Sequence, residues 1–282
     1  MTTTIKLEQT SKGWDQSAEG YMDMMQKTGF TRSFAQDLLN DTIPLDGKIK
    51  QGVKVLDIAT GAGAMSIITA NRIKSVGGHV LATDFSSEML KCLEKEIQKE
   101  GGINNITAQE MDGQNLTLSD NSFDFVYIVF GLMFFPDKIR GITEMFRVLK
   151  SGGTCGIATW SMTNPTAAVL IGTIAKLDPS RPPSGPSPVN SLADPVGIEQ
   201  LFKQAGFVNI KVTPKEHSME CSLDEFLVFI NGNPVFASAK ESLPIANQHL
   251  FEQTIKEIAL EIYPTGQLKL NSLAYLTTAQ KP

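Results

Sequence analysis

The residues with the clearest capacity for chemistry are carboxylates and glycines placed at the ends of apolar runs. Asp57 sits within Val55-Leu-Asp-Ile58, and Ala59-Thr60-Gly61-Ala62-Gly63 follows directly. A glycine turn between a strand and a helix brings backbone N–H groups and a helix N-terminus to a ligand, and a missing Cβ permits close approach. On its own such a turn is equally a tight connection or a nucleotide loop. Asp84 closes the next apolar run, about 20 residues past the loop, where a carboxylate can accept hydrogen bonds from both hydroxyls of a ribose. The bland alternative is an aspartate that complements a helix N-terminus. Nicotinamide-dinucleotide enzymes use the same arrangement, so these features imply a ribose-bearing cofactor without naming it. His79, His217 and His249 show no metal-ligand spacing with one another or with Cys92, Cys155 and Cys221, and no metal is expected. His217 and His249 are more readily surface residues than general bases, and no base is assigned.

These residues need a scaffold that aligns strand ends. Short apolar runs alternate with amphipathic helical patterns through the middle of the chain, the signature of a parallel sheet with helices on both faces. Strands are predicted at Val53 to Ile58, His79 to Thr83, Asn105 to Glu110 and Phe123 to Phe130, then up to Trp160 after the turn Ser151-Gly152-Gly153, and at Phe207 to Val212. Helices are predicted from about Ala64 to Lys74, after Ser86 as N-cap, and along Ile139, Ile142, Met145, Phe146 and Leu149. Asp178 to Pro195 is rich in proline and serine and reads as a surface loop. Ile198 to Ala205 fits a short helix, Ser222-Leu-Asp-Glu225 a capping box, and Phe251 to Ile262 a further helix before a closing strand, Leu268 to Thr277. The expected organisation is an N-terminal helical cap (1–50), a core (51–216), a helical lid insertion (217–265) and a closing strand (266–282).

Six segments carry a resemblance: Val55 to Gly63, Ala82-Thr-Asp84-Phe-Ser-Ser-Glu-Met-Leu90, Met111-Asp-Gly-Gln114, Ser122-Phe-Asp-Phe-Val-Tyr127, Phe130-Gly-Leu132 and Phe146-Arg-Val-Leu-Lys-Ser-Gly-Gly153. In this order they resemble the core of class I S-adenosylmethionine-dependent methyltransferases, nearest to the small-molecule enzymes of ubiquinone and menaquinone biosynthesis. The resemblance implies a Rossmann-like, seven-stranded, mostly parallel α/β sheet with helices on both faces and a closing antiparallel strand. It also implies S-adenosylmethionine as cofactor, with S-adenosylhomocysteine as product. By its pattern Asp57 and Ala59, Thr60, Gly61 and Gly63 would hold the methionine part, and Asp84 the ribose. Phe85 and Met89 would lie near the adenine, Met111, Asp112 and Gly113 would meet its edge, and Phe130 would lie beside the sulfonium. Trp14-Asp-Gln-Ser-Ala-Glu-Gly-Tyr21 resembles the helix such enzymes fold over the cofactor, which places Tyr21 at the cofactor and Trp14 in the pocket wall. Ala59 departs from the usual first glycine of the loop.

A second departure concerns the acceptor. Quinone-type relatives often continue Phe-Gly-Leu with Arg-Asn, whereas Met133-Phe134-Phe135 stands here. The loss of that polar pair argues against carrying over quinone C-methylation and favours an apolar or aromatic acceptor site, with Trp14, Gly131, Met133 and Phe134 as candidate substrate residues. Composition agrees with a small-molecule role. The 282-residue chain is 41% hydrophobic with a net charge of -5, which gives no pull toward nucleic acid or anionic membranes. No apolar run approaches the roughly 20 residues that cross a bilayer. A cytoplasmic monomer or homodimer is expected. The alternative to turnover is a regulatory protein of methyltransferase fold that binds the cofactor without transferring its methyl group.

Overall fold

The computed structural model describes residues 5–43, 49–162, 164–181 and 188–282. Two helices open the chain, α1 (Ser11–Thr28) and α2 (Phe30–Thr42), joined at Gly29 with φ of 61°. The alternating region follows as β1 (Lys54–Ile58), α3 (Ala64–Ile73), β2 (His79–Asp84), α4 (Ser87–Lys99), β3 (Ile106–Glu110), β4 (Phe123–Val129), α5 (Lys138–Val148) and β5 (Leu149–Trp160). Next come α6 (Pro165–Leu177), α7 (Pro195–Gln204) and β6 (Val208–Ser222). The chain ends with α8 (Leu223–Asn231), α9 (Pro234–Glu241), α10 (Ile245–Gln248), α11 (Phe251–Ile262) and β7 (Gln267–Gln280).

The seven strands form one sheet in the order β3-β2-β1-β4-β5-β7-β6. The first five are mutually parallel, and β7 inserts antiparallel between β5 and β6. Val55, Leu56, Val126, Ile128, Ile157 and Ala158 are fully buried, as expected for central parallel strands covered on both faces. Ser86 caps α4 by accepting the Met89 N–H, and Asp137 caps α5 by accepting that of Arg140. Parallel strands wound this way place all their C-terminal ends on one edge, where ligands gather. Among the described residues, no helix is long and apolar enough to cross a membrane.

Several boundaries differ from the sequence expectation for physical reasons. β6 runs to Ser222, well past Val212 and into the segment expected to be helical, which begins instead at Leu223. Its polar residues and Pro214 hide it, and both are tolerated because β6 is an edge strand. Beyond the pair Trp160↔Ala274, β6 and β7 continue together as a hairpin as far as Ser222↔Gln267. Helix α6 lies where none was predicted. Its N-cap Asn164 and the proline after it are ordinary start signals, but its apolar residues run almost without a polar face. Of the expected loop 178–195, residues 182–187 lie outside the described residues. Pro188–Asn190 forms a 3-10 turn, and Pro195 already starts α7 behind its cap Asp194. The Ser151-Gly152-Gly153 turn lies inside β5, where the pairing with β4 slips between Phe123 and Phe125.

Candidate functional site

The C-terminal ends of β1, β2, β3 and β4 open into a cavity of about 470 Å³, roofed by α1. That size falls within the ~300–1,000 Å³ common to small-molecule sites. Asp57 reaches it from β1, and Ala59, Thr60 and Gly61 from the following loop. Asp84, Phe85 and Met89 line it beyond β2, and Met111, Asp112 and Gly113 beyond β3. Phe130, Gly131 and Phe134 close the β4 side, with Trp14 and Tyr21 descending from α1. Two predicted residues stand apart. Gly63 caps α3 with φ of 87°, and a Cβ there would meet Leu93 Cδ1 at 2.4 Å, so its glycine serves helix packing. Met133, expected at the acceptor, is fully buried in the core. It sits in the 3-10 turn Leu132–Phe134, which turns Phe134 toward the cavity and Met133 away from it.

The polar groups form a cation-seeking arrangement. Asp57 Oδ2 accepts hydrogen bonds from Thr60 Oγ1 at 2.7 Å and Ser66 Oγ at 2.6 Å. Its Oδ1 is buried and has no protein partner, a costly state that a ligand donor would relieve. Burial pushes the Asp57 carboxyl up to about 6. Asp84 Oδ2 accepts the Gly61 N–H at 2.9 Å and Oδ1 the Ser86 N–H at 3.0 Å, and burial raises this carboxyl to about 6 as well. Asp112 Oδ1 accepts the Gln114 N–H at 2.8 Å. Glu96 also lines the cavity, and among its described lining residues Arg32 is the one cation, itself paired with Glu100 at 3.0 Å. Three of the loop amides are already engaged. Thr60 N–H donates to Thr83 O and Gly63 N–H to Thr60 O, both at 2.9 Å, and Gly61 N–H donates to Asp84.

Two non-glycine residues hold left-handed backbones at adjacent strand ends, Ala59 at φ 53° and Phe130 at φ 57°. Such outliers persist where the surroundings over-determine them, commonly at functional sites. For Phe130 the restraint is visible: its N–H donates to Ala158 O at 2.9 Å, and its ring stacks on Trp160 with centroids 3.8 Å apart. Phe34 stands edge-on to both rings. Gly131 completes the fit, since a Cβ there would lie 2.6 Å from Ala59 Cβ. From α1 Trp14 meets Tyr21 and Phe134 edge-on, at 5.4 and 5.2 Å. Burial pushes the Tyr21 phenol up to about 12, so it stays a neutral donor.

Ser66, which steadies Asp57, and Trp160, which backs Phe130, do not stand out in the sequence as site residues. Ser66 has a findable signal, since it lies in the first turn of the helix after the loop. Trp160 has none, because its contact with Phe130 is between strands. Met22, Met25 and Met65 also line the cavity and would pass for core residues by pattern. The two histidines considered as bases lie elsewhere: His217 pairs with Asp37 at 2.9 Å on β6, and His249 follows α10. Glu110 ends β3 away from the cavity lining.

The family model described as the ubiE/COQ5 methyltransferase family matches residues 16–169, more than half of the chain. The chain belongs to the ubiE/COQ5 methyltransferase family. The matched segment holds every strand end that forms the cavity. Similar members include a demethylmenaquinone methyltransferase of Listeria welshimeri, 38% identical over 117 residues, which are 42% of this chain and 49% of the relative. A ubiquinone/menaquinone biosynthesis C-methyltransferase, UbiE, of Idiomarina loihiensis is 37% identical over 129 residues, 46% of this chain and 50% of the relative. The chain thus spans about half the length of the curated relatives it matches. Two solved structures share the fold of this ubiE/COQ5-family chain. The YcgJ protein of Bacillus subtilis gives a TM-score of 0.56 at 17% identity, covering 88% of this chain and 98% of that one. Phosphoethanolamine N-methyltransferase 2 of Haemonchus contortus, in complex with S-adenosyl-L-methionine, gives 0.58 at 17% identity, covering 100% of this chain and 60% of that one.

Proposed function

We propose that the chain binds S-adenosylmethionine in this cavity and transfers its methyl group to a small, apolar or aromatic acceptor. The observation that carries the reading is the electrostatic character of the loop end. Buried Asp57 offers an unpaired oxygen, Asp84 lies beside it, and three loop amides that would otherwise cradle phosphate are already bonded. A pyrophosphate would meet repelling carboxylates there, whereas a cationic ligand with ribose hydroxyls meets acceptors. The cofactor would supply a methyl carbon already activated by a positive sulfur.

The residues divide the remaining work. Asp57 would accept from the amino group, Asp84 from the ribose, and Met111 to Gly113 would flank the adenine. Phe130 and Tyr21 present aromatic faces, which attract a neighbouring cation. Phe134 and Trp14 form an apolar wall on which an acceptor ring can lie. An electron pair of the acceptor (a lone pair, or the π pair of an electron-rich ring carbon) would displace the sulfur in line with release of S-adenosylhomocysteine, so the protein contributes mainly alignment and exclusion of water. A base is required only where the acceptor must lose a proton.

Calorimetric titration with S-adenosylhomocysteine and with NADH tests the cofactor, and methyl transfer from labelled S-adenosylmethionine tests turnover. The acceptor panel comprises phenols, thiols, amines and a short-chain demethylated naphthoquinol. The expected result is binding of S-adenosylhomocysteine alone and labelling of at least one apolar acceptor. NADH binding without S-adenosylhomocysteine binding would overturn the reading. Cofactor binding with no transfer would move the protein to a regulatory role.

A further inference from the structure

Helix α1 carries a glycine in its middle, Gly20, where alanine would favour the helix by about 1 kcal/mol. Gly232, which closes α8, has φ -92° and ψ 10°, a backbone open to any residue. Neither glycine is required by its own conformation; each is required by the other. A Cβ on Gly232 would lie 2.8 Å from Gly20 Cα, 2.9 Å from Gly20 C and 3.0 Å from Tyr21 N. A Cβ on Gly20 would lie 3.1 Å from Gly232 Cα. The nearest atoms are backbone, so no rotamer change relieves the contact. About two turns away, Lys27 of α1 pairs with Glu225 of α8, so the helices run antiparallel and touch at two places. Between these contacts the Phe229 ring lies 6.0 Å from the Tyr21 ring, centroid to centroid. Tyr21 in turn meets Trp14, and both line the cavity.

We propose that Gly20 and Gly232 are positioning residues of the ligand site: their backbone contact seats α8 on α1 and thereby holds Tyr21 over the cavity. None of the described residues beyond Pro136 lines that cavity, so the C-terminal helices act on it through what they seat, α8 on α1 at this contact and α9 on the 3-10 turn Leu7–Gln9. The binding arm of the test rests on the cofactor reading above; the exchange arm does not.

Affinity for S-adenosylhomocysteine is measured by calorimetry for the wild-type chain, Gly232→Ala, Gly20→Ala, Tyr21→Ala and the double variant Gly232→Ala/Tyr21→Ala. Amide hydrogen exchange is followed in the ligand-free proteins. Gly232→Ala is expected to weaken binding roughly tenfold, a size typical of coupled contacts, and to speed exchange in α8 and around Tyr21. Gly20→Ala, with the milder clash, is expected to weaken it roughly threefold. Once Tyr21 is alanine, Gly232→Ala should add nothing, because its effect runs through that ring. Unchanged affinity, or losses that simply add, would overturn the proposal. If Gly232→Ala does not fold, Gly20→Ala with and without Tyr21→Ala decides by the same criteria. If the wild-type chain binds no S-adenosylhomocysteine, the function proposed above falls. The seat is then judged by exchange alone: faster exchange at both helices supports it, and unchanged exchange removes it.

Discussion

Asp57 shows how one side chain can be unfavourable for the fold and favourable for the site. Its carboxyl is buried, its Oδ1 lacks a partner, and its proton affinity rises to about 6 from an ordinary 3.8. Asp57→Asn keeps the shape and removes the buried charge. The ligand-free protein at pH 7 is expected to gain up to about 3 kcal/mol, read as a higher thermal midpoint. That ceiling follows because holding the proton from 3.8 up to about 6 corresponds to roughly 1.4 kcal/mol for each tenfold change in proton concentration. The same variant is expected to bind S-adenosylhomocysteine about 10- to 100-fold more weakly, the worth of a charge-assisted hydrogen bond. Lower stability together with unchanged binding would show that Asp57 serves the fold alone. At this scale much of the candidate site was legible. Asp57 lies near the end of one apolar run and Asp84 closes the next, and strand-end carboxylates on one sheet edge must converge; Asp112 was readable only through the family resemblance of Met111 to Gln114. Met133 was not legible, because a short turn decides which of two neighbouring apolar side chains faces the cavity, and type alone does not distinguish Met133 from Phe134.

Elements meet at the cavity through small residues whose reason lies in a partner strand or helix. Ala59 at the end of β1 and Gly131 past the end of β4 are such a pair, with a Cβ on Gly131 only 2.6 Å from that of Ala59. Gly131→Ala is expected to destabilise the protein by about 1–3 kcal/mol, as overpacking does. The double change Ala59→Gly/Gly131→Ala should recover most of that loss, checked by denaturant unfolding of both variants. Failure of the second change to rescue would place the strain elsewhere, with Ile128 Cγ2 at 3.0 Å as the alternative contact. The alternating strands and helices from β1 to β5 were readable because each buries a periodic apolar face. The full length of β6 was not, since an edge strand tolerates proline and polar residues on both faces. Helix α6 escaped for the opposite reason: Ala167, Ala168, Val169, Leu170 and Ile171 in succession show no period to read.

Over the whole molecule, the two raised carboxyls set a pH dependence with a definite sign. Asp57 and Asp84 take up protons in the folded state up to about pH 6, whereas their unfolded counterparts release them near 3.8. Between those values the folded state binds more protons, so these two groups contribute a loss of stability as pH rises from about 4 to 6. The thermal midpoint of the ligand-free protein is expected to fall between pH 5 and pH 7, and affinity for S-adenosylhomocysteine to rise across the same interval as Asp57 ionises. Asp57→Asn should flatten much of both trends; a slope unchanged in that variant would assign them to other groups. The β6–β7 hairpin carries a different consequence. Helices α8 to α11 leave the sheet at Ser222 and return at Gln267, two residues paired across the hairpin, and Leu223 N–H donates to Gly266 O at 2.9 Å just beyond them. The excursion therefore starts and finishes at one point, like a cartridge plugged into a socket. A segment of different length or content can occupy that socket without re-registering a single strand, so what is seated against α1 can change while the sheet stays the same.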